Sequence, residues 1–324
     1  MVAPAISRLK VHAQPVGMFP VTHDVAGLRT IMVNVYFLGD PEGEDRSWVL
    51  VDTGLPYSAG SIVRAAEKRF GPDTHPLAIV LTHGHFDHVG SVKDLVAWWD
   101  VPVYAHEQEL PYLTGKEDYP PADPTVGGGL MAYVAKMYPH KAIDLGDRVQ
   151  ALPADGHIPL LPGWRWIHTP GHTKGHISLY RDQDRVLIAG DAFITTKQES
   201  FLSVLTQRPV VHGPPTYYTP DWTMAKESVE LLGNKYPSIA ATGHGLPIEG
   251  EALELGLQNL CRNFDQLAVP KQGHYVHQYD ARRPEMHSTL ATVGKESWPA
   301  LIALGVAAGA VTAWAAKRSR RNRE

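Results

Sequence analysis

Three histidines and an aspartate fall within six residues of one another. The run is Leu81-Thr82-His83-Gly84-His85-Phe86-Asp87-His88-Val89-Gly90. It follows directly on the apolar stretch Leu77–Leu81, which reads as a strand bounded by turn residues. A strand that ends in a tight turn brings all four side chains into one space, and Gly84 admits the backbone angles such a turn needs. Neutral imidazoles and a carboxylate are the donor set that Zn(II), Fe(II) or Mn(II) accepts. A merely polar turn has no use for so many ligand atoms, because buried polar groups each need a partner. The composition points the same way, since the chain of 324 residues carries 17 His but a single Cys, Cys261. One Cys excludes an internal disulfide and any zinc site built on two or more thiolates.

Three further candidates share that placement. His172 lies in Thr169-Pro170-Gly171-His172-Thr173-Lys174-Gly175-His176, Asp191 follows the apolar Val186–Ala189, and His244 follows Ile239–Ala241 within Thr242-Gly243-His244-Gly245. Each alone reads as a loop residue beside a glycine. Together they describe side chains set at the ends of strands, where a rigid scaffold presents its chemistry.

The rest of the chain supplies such a scaffold. Thr30–Leu38, Trp48–Val51, Val101–Ala105, Arg165–His168 and Ile177–Tyr180 are further apolar, β-branched runs that predict strands. Ser58–Phe70, Ser91–Trp99, Leu130–Tyr138, Asp221–Tyr236 and Glu251–Leu267 predict helices, the first from apolar residues at close to a 3.6 period. Strands and helices mixed in this order imply a layered α/β or α+β domain. Residues 111–145 break the rhythm with Pro111, Pro120, Pro121, Pro124 and the run Gly127-Gly128-Gly129, and are expected to form a cap over the site.

The succession Thr-His-x-His-x-Asp-His, Gly-His-Thr, Gly-Asp and Gly-His, preceded by Val51-Asp52-Thr53-Gly54, resembles the metallo-β-lactamase-fold hydrolases over roughly residues 30–250. The resemblance implies an α+β fold, a four-layer αββα sandwich with its metals at one edge between two sheets. It implies that His83, His85 and His172 bind one metal, that Asp87, His88 and His244 bind a second, that Asp191 bridges them, and that Asp52 orients ligands from behind. The implied cofactors are two Zn(II) per chain, with Mn or Fe as alternatives. The implied reaction is hydrolysis by a metal-bridging hydroxide, with Asp87 orienting the nucleophile or shuttling a proton.

Within that family the glyoxalase II and class B β-lactamase groups share this site logic, and the chain is most similar to the N-acyl-homoserine lactonases and related lactone or ester hydrolases, through Thr169–Leu179 and the 84-residue interval from His88 to His172. A lactone, ester or thioester is therefore the expected small-molecule substrate. Retention of Asp191, and a Cys far from every ligand motif, speak against a dedicated β-lactamase. Glu stands where His85 stands in the flavodiiron oxidoreductases. Persulfide dioxygenases with a single iron, β-lactamase-like and phosphodiesterase hydrolases, and a non-catalytic binding module remain the alternatives. Tyr218 is a candidate catalytic donor to an oxyanion or leaving group, and Tyr217 shares its segment; packing aromatics are the plainer reading of both. His176 is expected beneath the site, His212 is a candidate to face the substrate, and His106, His157, His274 and His277 are expected at the surface.

Charge divides the chain. Five basic residues against Glu324 leave +4 in residues 317–324, so the remainder must carry −8 for the total to be −4. An acidic body argues against nucleic acid as a partner. Ahead of that basic tail, residues 298–316 are 19 without a charge, about 28 Å of helix. Trp298 and Trp314 near its ends make it a candidate C-terminal membrane anchor, with a helix packed on the body or on a partner as the alternative. Gly305 and Gly309 allow close helix contact, which leaves a homodimer open. The hydrolase domain is expected over 1–295. No basic-then-apolar leader opens the chain, so a cytoplasmic body, associated with a membrane through the C-terminus, is expected.

Overall fold

The computed structural model describes residues 17–43, 47–127, 137–196, 209–276 and 279. All but the last belong to a compact unit, Met1–Val276, and His277–Glu324 form a separate one. The candidate anchor at 298–316, the basic tail and His277 lie outside the described residues, as does most of the expected helix Leu130–Tyr138. Among the described residues no helix is long and apolar enough to cross a membrane.

The first sheet has seven strands in sequence order: β1 (Met18–Pro20), β2 (Val25–Thr30), β3 (Val33–Leu38), β4 (Val49–Val51), β5 (Ala78–Val80), β6 (Val103–Ala105) and β7 (Val149–Ala151). Its first half is antiparallel, whereas β4 to β7 run parallel. The second sheet runs β12-β11-β10-β9-β8, from β8 (Trp164–His168), β9 (Ile177–Arg181), β10 (Val186–Gly190), β11 (Ile239–Thr242) and β12 (Ile248–Glu249). Helices α1 (Ala59–Phe70), α2 (Phe86–Val89), α3 (Val92–Trp99) and α4 (Leu110–Leu113) accompany the first sheet. Helices α5 (Trp222–Gly233), α6 (Gly250–Arg262) and α7 (Phe264–Leu267) accompany the second.

Side-chain alternation assigns the layers. Val35, Phe37, Leu50 and Ile79 pack with Ile62, Phe70, Leu95 and Trp99 of α1 and α3. Their neighbours Tyr36, Leu38, Val49, Val51 and Val80 point the other way, against Ile177, Leu179, Val186 and Ile188 of the second sheet. Strands buried on both faces read as continuous apolar runs rather than alternating ones, which is why they were conspicuous in the sequence. The result is the αββα sandwich.

Several elements differ from expectation. Thr30–Leu38 is not one strand but the end of β2, a turn and β3, and Ile31 in that turn sits at φ 70°. The expected helix Glu251–Leu267 is broken at Asn263 into α6 and α7. Strands β1, β7 and β12 have no apolar run to announce them, being two or three residues long and partly exposed.

Candidate metal centre

Parallel strands end at a common edge, and the ligand-bearing loops leave from there. β4 delivers Asp52, β5 delivers His83 and His85, the β8–β9 loop carries His172, β10 ends at Asp191 and β11 leads to His244. Asp87 and His88 lie on the single turn of α2. The pairing of β10 with β11 shifts between Ile188 and Gly190, a bulge that re-aims the residue after it. Gly190 has φ 55°, and a Cβ there would lie 2.6 Å from His176 Nε2, so only glycine fits behind Asp191.

Ligand atoms of His83, His85 and His172 converge, as do those of Asp87, His88 and His244, and those of His83, His88 and Asp191. The separations within this cluster are mixed: His85 Nδ1 and His172 Nε2 lie 3.0 Å apart, and the carboxylate contacts are longer. Asp191 Oδ2 lies 3.5 Å from His88 Nε2, 3.6 Å from His172 Nε2 and 3.2 Å from His244 Nε2. Asp87 Oδ2 lies 3.5 Å from His244 Nε2. Good hydrogen bonds are shorter than most of these. Atoms about 2.1 Å from a tetrahedral metal stand about 3.4 Å apart, the edge of the tetrahedron. Moreover, His83 Nε2, His88 Nε2 and Asp191 Oδ1 are buried without a hydrogen-bond partner. Orphaned buried polar atoms are costly unless something else binds them, and the donor chemistry fits divalent metal ions.

The opposite ring nitrogens are held from behind. Asp52 accepts from His88 Nδ1 at 2.8 Å and from both the amide and hydroxyl of Thr82, also at 2.8 Å. His244 Nδ1 donates to Met32 O at 2.8 Å. His176 packs beneath the cluster as expected, accepting the Asp191 amide at 2.8 Å through Nε2. Such contacts set tautomer and ring orientation.

Electrostatics separates the histidines into two classes. Burial and the crowding of neighbouring imidazoles hold His83 and His172 well below the usual histidine pKa. The same causes bring His85 down to about 3. Burial also disfavours charge on His88, but Asp191, Asp52 and Asp87 outweigh it and raise its pKa well above the usual value. His244 is raised against its burial by Asp191 and Asp87. Burial opposes the charge on Asp191, yet His244 and His88 hold its carboxyl well below the ordinary range.

The cleft over this cluster is lined by Met32, Phe86, Asp87, Tyr138, Tyr217 and Tyr218, among others. Tyr218 is buried, its hydroxyl lacks a partner, and its ring centroid lies 4.7 Å from that of His85. Tyr138, Ala122 and Val126 of the 111–145 segment pack on Tyr217 and Tyr218. His212 does not belong to this lining; its backbone pairs with Ile194 instead. His106, expected at the surface, is buried: it caps the short turn Glu107–Glu109 and stacks on His168. Sequence reasoning missed Glu109, a fully buried carboxylate just behind the ligand loops.

Known proteins agree with this architecture. A family described as the metallo-beta-lactamase superfamily matches residues 28–244. A probable metallo-hydrolase of Bacillus subtilis strain 168, YflN, is 49% identical over 249 residues, 77% of this chain and 94% of the relative. A second from that organism, YybB, is 30% identical over 215 residues, 66% of this chain and 81% of its own length. A subclass B3 metallo-beta-lactamase of Bradyrhizobium japonicum shares the fold at 19% identity and a TM-score of 0.53, over 78% of this chain and 93% of that one.

Proposed function

The chain belongs to the metallo-β-lactamase superfamily, and from that premise we propose a hydrolase that uses two divalent metal ions, zinc first among them, on an uncharged lactone, ester or thioester. The observation that carries this reading is the set of buried, orphaned ligand atoms on His83, His88 and Asp191, three residues whose ligand atoms lie within 4.8 Å of one another. His83, His85 and His172 would hold one ion, Asp87, His88 and His244 the other, and Asp191 stands between the two groups. Bound there, the metals supply a water ionised near neutral pH and polarise the substrate carbonyl.

The chain's own residues do the rest. Asp87 lines the cleft, where its carboxylate can orient the attacking water and pass a proton to the leaving group. Burial, then Asp87 and Tyr138, push the Tyr218 phenol above its usual range, so it stays a hydrogen-bond donor at every working pH. Its unpartnered hydroxyl suits a developing oxyanion. Among the described residues, the cleft lining contains no Lys or Arg and is walled by Phe86, Tyr138, Tyr217 and Tyr218. Such a wall favours a substrate that carries an apolar acyl group.

Tyr218→Phe keeps the aromatic packing and removes the donor. Steady-state kinetics on the preferred ester or thioester should show kcat reduced about 100-fold or more with KM little changed. Parental kcat in this variant would reduce Tyr218 to a packing aromatic.

The two histidine classes predict staged metal loss on acidification. A metal must displace protons from its ligands. His88 and His244, with raised values, take protons back early as pH falls, whereas His83, His85 and His172 resist protonation. Metal analysis after dialysis at decreasing pH should therefore show one equivalent leaving the Asp87–His88–His244 group before the other leaves. Simultaneous release of both would contradict this assignment.

A further inference from the structure

Glu109 ends the short turn Glu107–Glu109, after β6, and its side chain is completely enclosed. Among the described residues, the hydrogen bonds recorded to its carboxylate all come from neutral donors. Oε2 accepts the Gly84 amide at 3.0 Å and the Tyr119 hydroxyl. Oε1 accepts the Thr173 hydroxyl at 2.6 Å and the Gly175 amide at 2.9 Å. Gly84 separates His83 from His85, and Thr173 follows His172. One carboxylate thus clasps the two loops that carry all three histidines of one metal group. The approach is close enough that a Cβ on Gly175 would stand 2.8 Å from Glu109 Cγ, so a larger residue there would push the clasp apart. Tyr119 comes from the 111–145 segment, whose Ala122, Val126 and Tyr138 pack on the tyrosines of the cleft.

We propose that Glu109 is a positioning residue that presets the His83–His85–His172 group by fastening its two loops together, and that through Tyr119 it seats the 111–145 segment on the same anchor. This rests on the reading of that group as a metal site. Each carboxylate oxygen accepts one backbone N–H, which cannot act as an acceptor, so whichever way an amide turned at this position its N–H₂ would face one such donor, and only the neighbouring hydroxyl could turn to accept from it.

The test is cobalt(II) titration of metal-stripped parent and Glu109→Gln proteins, followed by absorption spectroscopy and competition with a chromophoric chelator. The parent should bind two equivalents. In E109Q one equivalent should weaken by about 10- to 100-fold and change its spectrum, while the other keeps its affinity. General destabilisation would not select one site of two. Thr173→Val, which removes a single donor and preserves side-chain shape, should weaken the same equivalent less, and it carries the test if E109Q does not fold. A folded variant that binds both equivalents as tightly as the parent, or loses both equally, overturns the positioning role. A parent that takes up no cobalt overturns the metal reading itself.

Discussion

Asp191→Ala is expected to lower metal content from two equivalents to one or fewer and to cut turnover at least about 1,000-fold. The figure corresponds to roughly 4 kcal/mol of lost transition-state stabilisation, within what a metal site supplies. The structural reason is position. Asp191 Oδ2 stands within 3.2–3.6 Å of imidazoles from both metal groups, His88 and His244 on one side and His172 on the other. Among the described residues, the other carboxylates near the cluster each meet one of its imidazoles, Asp52 that of His88 and Asp87 that of His244. Its loss also leaves His88, whose charge Asp191 favours, enclosed with one fewer anion. Breaking a buried pair on one side costs about 3–5 kcal/mol, so circular dichroism must first establish that the variant is folded. A folded Asp191→Ala protein with two metals and parental turnover would remove the basis of the two-metal account.

Stripping the metals is expected to cost stability as well as activity. The cluster holds buried ligand nitrogens and a carboxylate oxygen with no hydrogen-bond partner in the protein, which bound metals would satisfy. A ligand present at 1,000 times its dissociation constant stabilises the folded state by about 4 kcal/mol. For a domain of this size that amounts to roughly 10 °C in Tm. Calorimetry of loaded and chelator-dialysed protein should show a shift of that order, reversed by added zinc. An unchanged Tm, with no heat of metal binding, would mean that the cluster is an ordinary polar core.

Apart from Asp87 and His88, which share one run with His83 and His85, the ligand-type residues sit beside glycine close after a predicted strand, a local pattern that survives without knowledge of the fold. His83, His85, His172, Asp191 and His244 were legible for that reason. Glu109 was not. Its partners are the amides of Gly84 and Gly175 and two hydroxyls, which come together only when the loops do. Nothing in Glu107-Gln108-Glu109 distinguishes the buried carboxylate from its exposed neighbour. His106 was misjudged on the same ground, since its burial comes from a cap and from His168, not from an apolar context. The β2–β3 hairpin was hidden because Ile31 and Met32 occupy its turn, where glycine or asparagine is the usual signal. The doubly buried strands were visible as apolar runs and the short edge strands β1, β7 and β12 were not; their arrangement as an αββα sandwich was implied only by the family resemblance.

The central claim is that two metal ions in one buried cluster perform hydrolysis. It is tested most directly by adding zinc or manganese stepwise to the metal-stripped chain while following cleavage of a panel of lactones and thioesters. The account predicts turnover of at least one neutral substrate that rises with added metal and reaches its plateau at two equivalents per chain. Activity that plateaus at a single equivalent of iron and consumes oxygen, or hydrolysis that persists without metal, would contradict it.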